Sequence, residues 1–340
     1  MIFTNYSQLT KQIQQKLKNT KEYTKNIPIF INTRDRVNCL QQQIDWLAKA
    51  GYTNIVIIDN ASTYPKLIDF LKKCPYPVIR LKKNLGHTAL WQIKEIRPVI
   101  IEEWFVYTDP DVIPIEVCPY DVLTYFYEIL KRHSDYLKIG LGLLLSDIPD
   151  HYHLKSSVIR WENNLYGKEI EPNVFEADVD TTFALYRPRT PYCVAPALRT
   201  LGQYQARHLP WYIDSQNIDE EEQYYRDHAT KSITHWNTSG VSKHETLSLR
   251  GGQTAIWSND PEKIFRNLVN SKTWEVNSFL RFFRHLYSKS DKINIYSKNL
   301  SQKQLKDELL KFITSDDWYY TWLFKEKIRR IRNNLPFFKK

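Results

Sequence analysis

Two aspartates, one residue apart, close an apolar run: Trp104-Phe-Val-Tyr-Thr-Asp109-Pro-Asp111-Val-Ile-Pro114. Read as a buried strand, the run delivers both carboxylates to its C-terminal end, where α/β sheets hold their ligands. Two acids this close cannot both stay charged cheaply unless a cation sits between or beside them. A hard divalent ion with oxygen ligands, Mg2+ or Mn2+, answers that need, and such ions are commonly shared with a substrate's phosphates. Other polar residues fall just past other apolar runs. Asn32, Thr33 and Arg34 end the run that starts at Ile27, and Asp59 ends Asn54-Ile-Val-Ile-Ile-Asp59. Asn84 and Gly86 follow Val78-Ile-Arg-Leu81.

The elements that must position these residues alternate. Residues 5–25 read as a polar, Lys- and Gln-rich helix. From residue 27 short apolar strands at 27–32, 54–59, 78–81 and 104–108 are separated by helices at 37–51, 64–73 and from 88 onward. Gly51 sits where a helix C-terminus wants a left-handed residue. A β-α-β-α-β-α-β run of this kind predicts a doubly wound, mostly parallel sheet with right-handed crossovers. Residues 138–145 and 181–186 supply further strands, and residues 219–229 a helix that begins with four consecutive acids. After residue 250 strand signals fade and helical patterns at 261–269, 273–286 and 302–313 dominate, giving a helical C-terminal extension.

Composition sets bounds. At 340 residues, with 42% hydrophobic and 25% charged residues, the chain is an ordinary globular protein able to bury a sizeable core. A net charge of +10 points to an anionic partner: nucleic acid, an acidic membrane surface or a phosphorylated substrate. The four cysteines are dispersed with no Cys-x-x-Cys, which argues against a zinc site and a disulfide framework and for a reducing compartment. No signal peptide and no spanning run of apolar residues is visible, so a cytoplasmic location is expected.

Four segments, Asp59-Asn-Ala-Ser62, Asn84-Leu-Gly-His87, Asp109-Pro-Asp111 and the acidic helix start at 219–222, occur in an order and spacing that resembles the family 2 glycosyltransferases, enzymes of the GT-A fold that use nucleotide sugars. The resemblance covers roughly residues 26–240 and is firmest over 27–114. It implies a GT-A domain at 26–250, with a nucleotide-binding half at 26–114 and an acceptor half at 115–250, flanked by an N-terminal helix (1–25) and a helical region (251–340). It also implies a nucleotide diphosphate sugar as donor, a uridine diphosphate sugar above others. The acceptor is a hydroxyl group on a glycan, a lipid-linked glycan or a protein, and the sugar is transferred with inversion in surface polysaccharide or glycoconjugate synthesis.

Residue roles follow from the resemblance and from chemistry together. Asp59 can accept the imide N–H of uracil, or simply hold the turn after its strand. Asn32, Thr33 and Arg34 lie beside base and ribose, and Gly86 with Asn84 lets the backbone approach the nucleotide. Asp109 reaches the ribose or the metal, Asp111 holds the metal, and His235 completes the metal site as a C-terminal histidine does in such enzymes. The general base falls at the acidic helix start, Glu220 or Glu221, where crowded carboxylates raise one another's pKa. Asp180 and Trp211 belong to the acceptor side, the indole as a surface for a sugar ring. The stretch from Trp318, with Lys325, Lys327, Arg329, Arg330 and Arg332 beyond it, is a candidate for peripheral attachment to an anionic membrane.

Two rival classes stand beside this one. Nucleotidyl transfer also uses metal-bound carboxylates, but its usual Gly-rich phosphate loop is missing from Asn32-Thr-Arg-Asp-Arg-Val37. A non-enzymatic nucleic-acid or membrane binder would explain the charge, yet no nucleic-acid motif is present, so nucleic acid is not expected as a partner.

Overall fold

A computed structural model describes residues 2–3, 6–18, 20–214 and 216–229. Within them the chain forms β1 (Ile2–Phe3), α1 (Tyr6–Leu17), β2 (Ile29–Thr33), α2 (Val37–Lys49), β3 (Ile55–Asp59), α3 (Pro65–Lys73) and β4 (Val78–Arg80). There follow α4 (Ala89–Gln92), α5 (Arg97–Glu102), β5 (Phe105–Thr108), β6 (Val112–Pro114), α6 (Val122–Arg132) and β7 (Lys138–Leu143). The last described elements are α7 (Lys155–Asn163), β8 (Lys168–Glu171), β9 (Val174–Glu176), β10 (Ala184–Tyr186), β11 (Ala197–His208) and α8 (Glu220–His228). Two compact units divide the chain: residues 1–188 with 194–250, and residues 189–193 with 251–340. His235, the helical region from 251 and the basic-aromatic tail lie outside the described residues.

Eleven strands make one sheet in the order β1-β4-β3-β2-β5-β10-β7-β11-β9-β8, with β6 paired to β11. From β1 to β5 every pairing is parallel. Every residue of β2 and β3 is buried, as expected of apolar strands covered on both faces. Helix α2 turns Cys39, Leu40, Gln43, Ile44 and Leu47 inward, and Gly51 (φ +82°) ends it in the left-handed region. Beyond β5 the sheet is mixed: β10 runs antiparallel between β5 and β7, and β11 parallel to β7.

The order places β3 and β4 on one side of β2 and β5 on the other. Strand succession therefore reverses at the β2–β5 boundary, and the crevice beyond the C-terminal ends of those two strands is where such sheets bind ligands. The acid pair follows β5 directly. The sequence pattern had announced neither α6 nor β11. Strand β11 is broken by Gly202 (φ +68°), its register against β7 shifts between Thr200 and Gln205, and polar residues interrupt its alternation.

Candidate active site

Three loops at the strand ends are pinned to one another. Gly86 adopts φ +71°, and its carbonyl accepts from the Asn60 amide (3.0 Å) and, more loosely, from that of Asn32 (3.4 Å). Asn60 Oδ1 accepts from the Leu85 amide at 2.6 Å, and Asn84 Oδ1 from the Gly86 amide at 2.7 Å. Asp59 holds its own turn through the Ser62 amide (2.9 Å), while Asp35 accepts from the amides of Thr63 (2.6 Å) and Tyr64 (2.8 Å) at the entry to α3. Asp35 (φ 52°) and Ala61 (φ 61°) stand in the left-handed region where side chains are strained, so both loops carry cost at the ligand end of the sheet.

The acid pair is held as firmly. The Asp109 amide donates to the Thr181 carbonyl (2.9 Å), and the Thr181 hydroxyl donates to Asp109 Oδ2. Gln43, wholly buried on α2, donates to the carbonyls of Asp109 and Val112, each at 2.9 Å, and so fixes the turn between β5 and β6. Burial pushes the Asp109 carboxyl well above its ordinary range, with Asp111 and then Asp180 adding to the effect and Thr181 opposing it. Asp111 Oδ2 lies 3.3 Å from Arg36 Nη1. Arg36 is itself buried; its other nitrogen, Nη2, meets Glu222 at 2.8 Å, and its guanidinium lies 3.9 Å over the Tyr225 ring. On the opposite side of Asp111, His208 Nε2 stands 3.8 Å from Oδ1. Burial draws His208 below the usual histidine range, against the pull of Asp111.

Several buried oxygens at these strand ends have no hydrogen-bond partner: Asn32 Oδ1, Thr33 Oγ1, Asp59 Oδ2 and Asp111 Oδ1. Arg80 Nε approaches Asp59 Oδ2 only to 3.4 Å. Native interiors leave few such atoms, and four along one crevice mark a surface built for a polar ligand. The acid pair also fits a divalent ion. Among the described residues no three His, Cys, Asp or Glu side chains form a ready cage. Two carboxylates, one offering a buried free oxygen, suit an ion that completes its shell with phosphate oxygens and water.

Sequence-derived assignments meet this geometry unevenly. Asn32, Thr33, Asp59, Asn84, Gly86, Asp109 and Asp111 do gather at the C-terminal ends of β2 to β5. Arg34 lies at the rim, pairing with Asp35 (3.3 Å) and donating to the His228 carbonyl (3.1 Å). Asp180 comes close enough to raise the Asp109 pKa. The helix-start acids have other partners. Glu220 is 71% exposed and pairs with Lys66 at 2.6 Å; Glu221 accepts from the amides of Val37 (2.8 Å) and Asn38 (3.1 Å) and so caps α2. Trp211 is a correction: it is 1% exposed and packed in the core, its ring 4.8 Å from that of His208, so it walls the site and offers no face to a sugar. Sequence reasoning passed over Arg36, Gln43 and His208, and it met Glu222 only as one of the four acids at 219–222, not as the partner of Arg36. His208 carried a signal as part of His208-Leu-Pro-Trp211 and Glu222 as part of the acidic helix start; Arg36 and Gln43 are polar residues whose burial only the assembled sheet creates.

No family model and no curated protein matches the chain. Among solved structures it resembles glucosyl-3-phosphoglycerate synthase from Mycobacterium tuberculosis in complex with phosphoglyceric acid, at 11% identity and a TM-score of 0.31, over 53% of this chain and 62% of that one. The same synthase in complex with Mn2+ and uridine-diphosphate-glucose aligns at 12% identity and a TM-score of 0.30, over 55% and 64%. Residues 1–349 of S. aureus TarS align at 11% identity and a TM-score of 0.32, over 89% and 91%. The chain thus spans less than two thirds of the synthase. Likeness of this size establishes neither a shared fold nor a shared activity, and the functional conclusion rests on the site itself.

Proposed function

We propose that this protein is a metal-dependent glycosyltransferase that moves a sugar from a nucleoside diphosphate donor, a uridine diphosphate sugar above others, to a hydroxyl acceptor with inversion. The observation that carries the proposal is the row of buried oxygens without a hydrogen bond on Asn32, Thr33, Asp59 and Asp111 along the switch-point crevice, beside the Asp109–Asp111 pair. Asn32 and Thr33 line the nucleoside side. Asp59, its Oδ1 spent on the turn and its Oδ2 without a hydrogen bond, is placed to accept an imide N–H of the base. Asp109 and Asp111 would hold Mg2+ or Mn2+, which when bound neutralises the charge growing on the departing diphosphate. Arg36, fixed between Glu222 and Asp111, holds Asp111 in place and keeps a positive charge beside the diphosphate position.

Deprotonation of the acceptor needs a carboxylate near the acid pair. Glu221 spends both oxygens on the amides of α2, and Glu220 faces solvent beside Lys66. We take as base Asp180, which is next in sequence to the Thr181 that anchors Asp109 and close enough to act on the Asp109 carboxyl.

Calorimetric titration with a uridine diphosphate sugar tests the donor half: binding is expected with Mn2+ and absent with chelator, and Asp111→Asn should behave like the chelated protein. Equal affinity in both conditions overturns the proposal. For the base, Asp180→Asn should lower turnover about 10²–10⁴-fold while sparing donor affinity. Should Glu220→Gln or Glu221→Gln show that loss instead, the base lies on α8.

A further inference from the structure

We infer that Lys138 is a positioning residue: its buried ammonium holds the backbone of Val179 and Asp180 and thereby fixes Thr181 against Asp109. The inference rests on the function proposed above, in which Asp109 must stay in place beside Asp111. Strand register brings the parts together. On β7, Lys138 pairs with Tyr186 of β10 and Gly140 with Ala184, so these four positions share one face of the sheet. Segment 179–183 lies against that face. A Cβ at position 140 would stand 2.8 Å from Val179 Cγ1 and 3.2 Å from the Phe183 carbonyl oxygen, so glycine there lets the segment approach. Tyr186 in turn stacks on Phe105 at 5.1 Å, at the start of the same β5 that ends just before Asp109.

The ammonium reaches this segment directly. Lys138 is wholly buried, and Nζ donates to the Val179 carbonyl, to the Asp180 carbonyl (3.4 Å) and to the Tyr186 hydroxyl (3.2 Å). It also lies 4.8 Å from the centre of the Tyr186 ring. The next carbonyl, that of Thr181, accepts from the Asp109 amide at 2.9 Å, and the Thr181 hydroxyl donates to Asp109 Oδ2. Three consecutive carbonyls are thus held, the first two by Lys138 and the third by the residue that the segment positions. Methionine would fill a similar length without the cost of burying a charge. What the ammonium adds is its hold on two carbonyls, through charge-assisted bonds roughly twice as strong as neutral ones. Freed from that hold, Thr181 loses its register on Asp109, and the carboxylate loses its fixed place beside Asp111.

Hydrogen exchange of the full-length protein tests this without any activity. The Asp109 amide reports its contact with Thr181, and the amides of β2 and β3 report global opening. Lys138→Met should speed exchange at Asp109 about tenfold or more and leave β2 and β3 unchanged. A lysine that serves only the stability of the core would speed all three together, or none, and either pattern overturns the inference. Calorimetry with uridine diphosphate and Mn2+ adds a second reading. Lys138→Met and Thr181→Val should each weaken binding, and the double variant should bind no more weakly than the poorer single one. Losses that multiply place the effect of Lys138 elsewhere and overturn the inference. Absence of binding by wild type sinks the proposed function and leaves exchange at Asp109 to decide the role of Lys138. If Lys138→Met does not fold, Tyr186→Phe decides, because it removes only one acceptor of the ammonium. Faster exchange at Asp109 with β2 and β3 unchanged supports the inference, and unaltered exchange at Asp109 refutes it.

Discussion

The parallel half of the sheet, β1 to β5, and the mixed half from β6 to α8 are built on different principles. In the first, every residue of β2, β3 and β5 is buried, and polar side chains at the strand ends tie their own turns: Asp59 to Ser62, Asn84 to Gly86. In the second, charged groups lie inside and are satisfied at long range. Glu162 and Arg199 form a buried pair, Lys138 is wholly buried with its ammonium on the Val179 carbonyl, and Glu222 reaches back to Arg36. The first half is a scaffold held by apolar burial; the second places charge against it. The site lies at the seam, and its rigidity depends on polar pairs that cross from one half to the other.

That contrast predicts a ranking of substitutions. Arg36→Met removes the partner of two carboxylates, Asp111 and the buried Glu222, and should cost about 3–5 kcal/mol in urea unfolding. Ile57→Val, in the centre of the parallel half, should cost only about 1 kcal/mol. If the two are equal, polar crossing pairs do not dominate the seam. Glu221→Ala strips the cap from α2 and should cost about 1 kcal/mol, with Glu220→Ala within about 0.5 kcal/mol of wild type. Equal losses would mean that the cap contributes nothing beyond surface charge.

The smallest effect is one of pH, at the rim of the mixed half. Arg207 holds Glu116 below the ordinary carboxylate range by hydrogen bonding. At Asp147 burial pushes upward, but hydrogen bonds from Tyr212 and Arg207 outweigh it. Both acids bind protons more weakly folded than unfolded, so their contribution is present above the ordinary carboxylate pKa of about 4 and is lost as pH falls below it. Both groups are largely solvated, so the loss should not exceed about 0.5 kcal/mol each. Thermal unfolding between pH 6 and pH 3 should show a shallower acid loss in Arg207→Met than in wild type; identical slopes would remove these pairs from the account.

How far the residues alone could be read follows the same seam. Continuous apolar runs ended by polar turns announce β2, β3, β4 and β5 within a residue or two, and with them the crevice and its acids. Period and punctuation carry that information locally. Strand β11 escaped because Gly202 and its polar neighbours break the alternation, and α6 was likewise passed over. Arg36 and Gln43 have no local signature, because only the assembled sheet buries them. For Glu221 the local signal did not reveal its partner. Acids at the start of α8 suggested a general base, and the Glu221 carboxylate caps a different helix, 184 residues away in sequence. Long-range polar pairing has no local signature.

The contact between α8 and the start of α2 also bears on the order in which the molecule is made. Arg36 emerges from the ribosome early, while its partner Glu222 is synthesised 186 residues later. The parallel half can collapse around β2 to β5 while translation continues, because its contacts join near neighbours along the chain. Until residues 221 and 222 arrive, α2 has no cap from Glu221 and Arg36 has no carboxylate from α8. A nascent chain halted before α8 would therefore carry the acid pair on an otherwise formed sheet, with the guanidinium beside it still unanchored. The anchored arrangement around Asp111 is therefore reached only once α8 has been made, by closure of one of the longest loops in the described chain.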